Sequence, residues 1–547
     1  MKKYFDSLKN KLNILGVTTS LLAGIYTALV YVLGKEYDGV IRTVTSKSVL
    51  AVRMVLIAAA TTILSFLVWP LFDLLREKYN QRQKKKPAEM TVGLMMTVMI
   101  VMWIPSLLAI WPGAYSYDAY DEWVMMATGN ISAHHPLWHV LMSGGLVEIS
   151  YKIFGSYNAG IAIYSIAQML LLALCFALII RFLREKGAGL PLQIGVLAYY
   201  SLHPVIALFS NCATKDVLFS GAEVLFFLYI WDMLENIDRF LAARSKVIPL
   251  IAVSLLTAFG KNNGIYIVAA TYVLLLAVVL SSKARKKIGI FLIVFCISIF
   301  TKPIIEIPVN SMFDIASDEN ASALSVPIMQ MARVYVYEEE NLDQSEREAF
   351  LEFVPQEAMS NYKESVADNI KSNLDEEYFE NHKKEFWNLW LTWGKKYPGI
   401  YVTSFVLQTV DGWYPGAVID GYRFPDAGSY FDYKVAKPGE AKPILKSLNK
   451  IYTSIAKDES LQQKGLWFVF FSPGWYLLIF VWLWLYQISC REFSKAGAGI
   501  TQLIHYGTVL LGPIALVRYE LNFFYILPVI VCMMFLGTGS KKDKSRR

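Results

Sequence analysis

The stretch Trp111–Pro136 reads WPGAYSYDAYDEWVMMATGNISAHHP and follows a long apolar run. It crowds Asp118, Asp121, Glu122, His134 and His135 together, with His139 just beyond, so three of the six histidines fall here. Carboxylates and imidazoles gathered at a membrane edge are what proton transfer or metal chemistry requires. Asp118 and Asp121 are three apart and share one side if that piece is helical. Acids in a loop are ordinarily solvated. Here they are interleaved with Tyr115, Tyr117, Tyr120 and Trp123 and sit within about a turn of an apolar segment. Pro136 suits the first turn of a following helix.

Cations recur in three other short turns. Asn211–Asp216 places Lys215 and Asp216 at the opening of an apolar run, where a helix N-terminus favours anions. Lys261-Asn262-Asn263-Gly264 breaks an apolar hairpin with a lysine and two amides. Arg518-Tyr519-Glu520 forms a minimal turn between two late runs. Each has an ordinary reading as a cap or a turn. Together they offer acids on one loop and cations on others. That suits a phosphate-containing substrate, with cations on the phosphate and a carboxylate doing acid–base work. Glu223 and Asp232, inside an apolar run, are either functional buried acids or partners of other helices.

The elements that must position these turns are apolar helices. The chain has 547 residues, is 55% hydrophobic and has a mean hydropathy of +0.39, a composition of polytopic membrane proteins. Its net charge of +7 is spread over short basic clusters between apolar runs, which argues against nucleic acid as a partner. Runs of spanning length fall near 12–34, 49–72, 90–111, 157–180, 188–210, 217–235, 265–281, 288–304, 465–487, 498–517 and 521–538, with a shorter one at 247–260. That makes about twelve spans. The first is too long for a signal-peptide core and reads as a retained span. Segment 136–153 is mixed and short, and reads as a helix on the membrane surface or re-entering it.

With the N-terminus in the cytoplasm, the dense basic clusters all fall inside if 136–153 does not span. These include Arg76–Lys86, Arg181–Lys186, Arg239–Lys246, Lys283–Lys287, Arg491/Lys495 and Lys541–Arg547. The turns named above then share the outer face. So does 305–464, which carries 26 acidic and 16 basic residues. It reads as a mainly helical soluble domain, with helices over Pro327–Tyr337 and Phe379–Lys396, an apolar piece at Tyr397–Trp413 lying along the membrane, and loop over Gly412–Gly439. The domains expected are 1–89, two added spans and a basic loop; 90–304, the core; 305–464; and 465–547, three spans and a basic tail. The five cysteines lie in or beside apolar runs without ligand spacing, so buried thiols are expected.

These motifs resemble the glycosyltransferase-C superfamily of multi-pass enzymes that take a sugar from a polyprenyl-phosphate carrier. The nearest likeness is to a bacterial branch with a Pro-Gly…Asp…His-His-Pro opening (Pro112, Gly113, Asp118, His134, His135, Pro136) and a Thr-Lys-Asp turn at Thr214–Asp216. That branch also has a basic-Asn-Asn-Gly turn (Lys261–Gly264), a Pro-x-x-Gln-x-x-Arg helix start (Pro327, Gln330, Arg333) and a late Arg-Tyr (Arg518-Tyr519). The likeness covers about 90–540. It implies an all-α, glycosyltransferase-C-like bundle in the plasma membrane with its site on the extracytoplasmic face. It implies an inverting transfer from a polyprenyl-phosphate sugar to an envelope glycan, lipid-linked glycan or protein. Asp118 would be the general base, with Asp121 or Glu122 as a second acid. The leaving phosphate would be held by Lys215, Lys261, Arg333 or Arg518. His134, His135, Asp216, Asn262 and Tyr519 would complete the substrate site. Where relatives often carry Arg, this chain has Lys261, which cannot fork onto phosphate. Some members use a divalent metal, for which Asp118, Asp121 and His135 are the candidate ligands. The rival reading is a transporter or flippase of a lipid-linked saccharide. That class usually has repeated halves, and no internal repeat is seen here.

Overall fold

The computed structural model describes residues 2–37, 46–82, 89–315, 324–417, 433–457 and 468–536. Most of the loop expected at Gly412–Gly439, the cluster Lys84–Lys86 and the tail Lys541–Arg547 lie outside these. Among the described residues the chain is all-α, with isolated β-bridges and no strand. Every apolar run expected from the sequence carries a helix. Eight described helices are long and apolar enough to cross a membrane.

Runs that fall short of that standard do so for visible reasons. Leu190–Leu202 stops where His203 turns extended (ψ 122°) before Pro204, as a residue preceding proline must. Phe493–Leu510 carries Lys495, Gln502 and His505, all turned inward. Arg244–Gly260 and Pro473–Ser489 are each 17 residues long.

The apolar helices are not equivalent. In the Lys47–Gln81 span only 17% of the most apolar window is buried, against 78% for Lys215–Glu235 and 83% for Val517–Phe535. The first is apolar outward, as a lipid-facing helix must be. The other two are apolar all round because protein surrounds them. These two central helices bring Lys215 and Arg518 to their N-terminal ends.

Segment 136–153 forms Leu137–Val140, a π-turn at Leu141–Gly145 and Leu146–Phe154. It packs on Ala119–Thr128 and on Tyr157–Glu185. Gly144 permits the first crossing, because a Cβ there would lie 2.3 Å from the Glu122 carbonyl oxygen.

The long segment between spans has its own core, built on Ile328, Phe350, Phe386 and Trp393. Its helices include Ser325–Glu338, Glu376–Asn381 and Lys383–Lys396, so the run expected over Phe379–Lys396 is broken at His382. Pro398–Trp413 packs against Ser325–Glu338 on one side and against Ile14–Tyr37 and Pro473–Ser489 on the other, joining the two cores. Val366 packs with Ile514, Leu516 and Tyr519, so the segment docks directly over the Arg518 turn.

Candidate functional site

The Pro-Gly of the opening motif has a steric explanation. Gly113 adopts φ +139°, and a Cβ there would lie 1.9 Å from Ser165 Oγ. Only glycine fits. The next residue is pinned to a distant turn: Ala114 N donates to the Asn211 carbonyl (3.1 Å), and Ala213 N donates to the Ala114 carbonyl (2.8 Å). This pairing lays the acidic loop alongside the Lys215 turn. Tyr117 then takes a left-handed φ of 55°, uncommon for a residue with a side chain. Its ring sits 4.6 Å from the Arg518 guanidinium. Asp118 precedes the helix Ala119–Thr128.

Three cations and two carboxylates converge here. Lys215 Nζ donates to Asp118 Oδ2 at 2.7 Å. Arg518 forks onto Asp118, with Nη1 to Oδ2 at 3.1 Å and Nη2 to Oδ1 at 3.0 Å. Lys261 Nζ lies 2.7 Å from Asp216 Oδ1, and Arg518 Nη1 lies 3.8 Å from Asp216 Oδ2. Thr214 Oγ1 donates to Asp216 Oδ2 (2.9 Å) while capping its helix. Lys261 sits 3.8 Å from the Tyr519 ring centroid, a cation–π contact. The Nε of Arg518 is buried and has no acceptor among the described residues.

Burial works to raise the Asp118 carboxyl, but Arg518 and Lys215 hold it well below the usual range. Burial, aided by Lys215, lowers His135 to about 3. His135 is therefore neutral, and its Nδ1 accepts from Lys215 Nζ at 2.9 Å. An ammonium has only donors, so the ring proton belongs on Nε2. With His135 neutral, three cations face two carboxylates, a surplus of one positive charge.

Beneath the loop lies a second, closed network. Glu122 is fully buried, with His139 Nδ1 at 2.7 Å and 2.8 Å from its two oxygens and Ser143 donating to it. Burial raises its carboxyl, but His139, aided by Lys215, brings it below its ordinary value. His139 Nε2 meets Tyr164 OH at 2.8 Å, and Tyr164 donates to Gln168 Oε1 at 2.8 Å. Gln168 in turn donates to the carbonyls of Phe209, Ser210 and Cys212. The chain of bonds thus ends on the Lys215 turn.

Asp118, His135, Lys215, Asp216, Lys261, Arg518 and Tyr519 come together as a unit. Asp121 does not share a face with Asp118. Asp118 is at the cap rather than in the helix, and Asp121 points outward and is exposed. Its carboxyl is raised by partial burial and by the Asp118 charge. Glu122 takes the inward position but is consumed by the His139 network. Asn262 is engaged in positioning: Nδ2 donates to the Ala133 and His134 carbonyls at 3.1 Å and 3.2 Å. His134 packs edge-on to His135. Arg333 lies within the second core, 2.8 Å from Glu364 and stacked on Tyr337. It is not among the cations that reach Asp118 or Asp216.

Sequence reasoning gave Tyr117 no role beyond an aromatic neighbour of the acids and passed over His505. His505 pairs with Glu223, and its Nε2 meets the Tyr519 carbonyl at 3.0 Å, so the buried acid supports the Arg518 turn from below. A histidine inside an apolar run is the signal that would have found it. Asp232 pairs with Lys186 and Lys246.

A divalent metal fits this arrangement poorly. Both Asp118 oxygens carry cations, Asp121 faces away, and His135 Nδ1 faces Lys215. Among the described residues no three His, Cys, Asp or Glu side chains converge as a metal site.

No curated protein and no solved structure matches the chain. One family model matches residues 123–434, more than half of the 547-residue chain. The match includes His134, His135, Lys215, Asp216, Lys261 and Arg333 and begins after Asp118. The family is described as a family of unknown function (DUF6020), and the chain belongs to it.

Proposed function

We propose that this protein is a membrane glycosyltransferase of the glycosyltransferase-C type, transferring a sugar from a polyprenyl-phosphate donor by inversion. In this reading about twelve helices cross the plasma membrane. The Asp118 cluster and the helical domain of 305–464 then face the extracytoplasmic side. What carries the reading is the Asp118 carboxylate clamped by Lys215 and Arg518 at the N-terminal ends of the two most buried spans.

The chemistry follows from that clamp. The acceptor hydroxyl attacks the anomeric carbon from the face opposite the phosphate. Its proton passes to Asp118 as the new C–O bond forms. The bond between that carbon and the phosphate oxygen breaks, and polyprenyl phosphate leaves with its electron pair. The phosphodiester carries one negative charge, matching the surplus positive charge of the cluster, and the unpartnered Arg518 Nε is a spare donor for it. A carboxylate held far below its usual range is a weak base. Donor phosphate relieves this by drawing Lys215 and Arg518 toward itself, so the base becomes competent once the donor is seated. Lys261 and Asp216 keep the cluster assembled meanwhile.

The test is a transfer assay on purified protein in lipid, with a panel of polyprenyl-phosphate sugars and envelope extract as acceptor. Turnover of one donor, lost in a folded Asp118→Asn variant, supports both the class and the base. Turnover that survives in the variant moves the base to Asp121. No release of polyprenyl phosphate from any donor overturns the enzyme reading in favour of a carrier of lipid-linked saccharide.

A further inference from the structure

A group of oxygen atoms lies one residue past Arg518-Tyr519. Glu520 is fully buried, and neither of its carboxylate oxygens has a hydrogen-bond partner among the described residues. It faces a narrow void, too small for a water molecule, shared with Gln408, Gly412, Tyr506 and Gly512. Gln408 is 2% exposed, and its amide orientation is settled: Nε2 donates to the Gly512 carbonyl at 2.8 Å. Its Oε1 is therefore the unused atom, an acceptor that is buried and unpartnered. The Tyr506 hydroxyl is also buried without a partner. Asp411, three residues along the same helix from Gln408, is 2% exposed and adds a second buried carboxylate whose charge acts on Glu520. Gly412 allows this approach, because a Cβ there would lie 2.2 Å from Glu520 Oε1. No lysine, arginine or histidine lines the cavity.

We propose that this pocket binds one monovalent alkali cation. A buried carboxylate without a partner is costly. Protonating Glu520 satisfies one of its oxygens and supplies a single donor. The Tyr506 hydroxyl is a second donor, yet among the described residues neither it nor any other group donates to Gln408 Oε1 or to either Glu520 oxygen. An ion accepts several oxygens at once, and hard cations prefer oxygen ligands. Two carboxylates at most, with neutral oxygens around them, match a singly charged ion better than a divalent one. Glu520 ends the same short 3-10 turn, Val517–Glu520, that presents Arg518. A cation held there fixes the turn and thereby the clamp on Asp118. The site is distinct from the glycosyl-transfer reading and does not depend on it.

The experiment follows the thermal unfolding of the full-length protein in lipid nanodiscs, with choline chloride exchanged for sodium or potassium chloride at constant ionic strength and neutral pH. The expected result is a saturable rise of a few degrees with at least one alkali cation and none with choline, since a ligand of the folded state stabilises by mass action. Glu520→Gln and Gln408→Leu should each lose that rise. Should Glu520→Gln not fold, Gln408→Leu gives the same reading. Equal unfolding temperatures in all three salts for the wild type overturn the proposal. So does an alkali-induced rise that persists in the folded variants. So does a carboxylic-acid infrared band that vanishes in Glu520→Gln and is indifferent to sodium and potassium, since that identifies a permanently protonated acid. No arm uses sugar transfer, so loss of the glycosyltransferase reading would leave this result intact.

Discussion

Two charge clusters sit at opposite ends of the helix Leu521–Phe535. At its start, Arg518 and Lys215 hold Asp118. At its end, Lys495 donates to the Met533 carbonyl (2.7 Å) and also to that of Leu536, and pairs with Glu492 at 2.7 Å, while Arg76 pairs with Glu492. Both join elements far apart in sequence, and both bury lysine. They differ in what their donors are spent on. Lys495 satisfies carbonyls that the helix end must leave unpaired, so no ligand can borrow it without exposing backbone. Lys215 and Arg518 meet other side chains, and Asp118 remains 23% exposed. Those ion pairs can exchange for a phosphate. A buried charge cluster is therefore weak evidence of function until the destination of its hydrogen bonds is known.

The largest effect should come from Asp118→Asn. Loss of the base should lower transfer by about 10²–10⁴-fold, measured as polyprenyl phosphate released per folded molecule. Lys495→Met should do the converse. It leaves two helix-end carbonyls without their donor and removes one partner of Glu492, at a cost of about 3 kcal/mol in stability, read by denaturant unfolding. Its turnover per folded molecule should stay unchanged. If Lys495→Met abolished transfer at full folding, the distinction between the two clusters would collapse.

Arg518→Lys sharpens the contrast. Lysine keeps the charge but cannot fork, so one charge-assisted bond to the seated donor phosphate is lost. At about 1.5 kcal/mol, KM for the donor should rise roughly tenfold. A rise in KM with kcat preserved would place Arg518 on the donor phosphate in the ground state.

Acid should also separate the clusters. The folded-state pKa of His135, about 3, lies below its ordinary 6.5. Between those values the unfolded chain binds more protons than the folded one, so stability falls as pH drops through that window. The depressed Asp118 and Glu122 carboxyls act in the same direction at lower pH. His135→Asn, which keeps an acceptor for Lys215, should flatten the decline of unfolding temperature between pH 6.5 and 3. Lys495→Met should leave that slope as steep as in the wild type.

Much of this was legible from residue types. Apolar length located the helices, and the four turns were found because acids and cations have no cheap reason to stand at the ends of spans. What the sequence left open was direction. Which of three acids in Asp-Ala-Tyr-Asp-Glu turns inward depends on whether Asp118 caps the helix or joins it. That is decided by a strained Tyr117 and by a backbone pairing between Ala114 and the 211–213 turn. Arg333 lies apart from the cluster for a related reason: a motif shows that a residue is constrained, and here its neighbours are Glu364 and Tyr337 inside a separate core. His505 was hidden because its partner Glu223 is 282 residues away in sequence.

Asp121→Asn should have the smallest effect, and it tests that account of direction. Asp121 is exposed and touches neither Lys215 nor Arg518, so its influence on Asp118 is a screened like-charge repulsion. Removing that charge should ease deprotonation of Asp118 slightly and change transfer by less than about threefold, an effect that shrinks further in high salt. A loss comparable to that of Asp118→Asn would mean that the helix Ala119–Thr128 rotates when donor binds, bringing Asp121 inward.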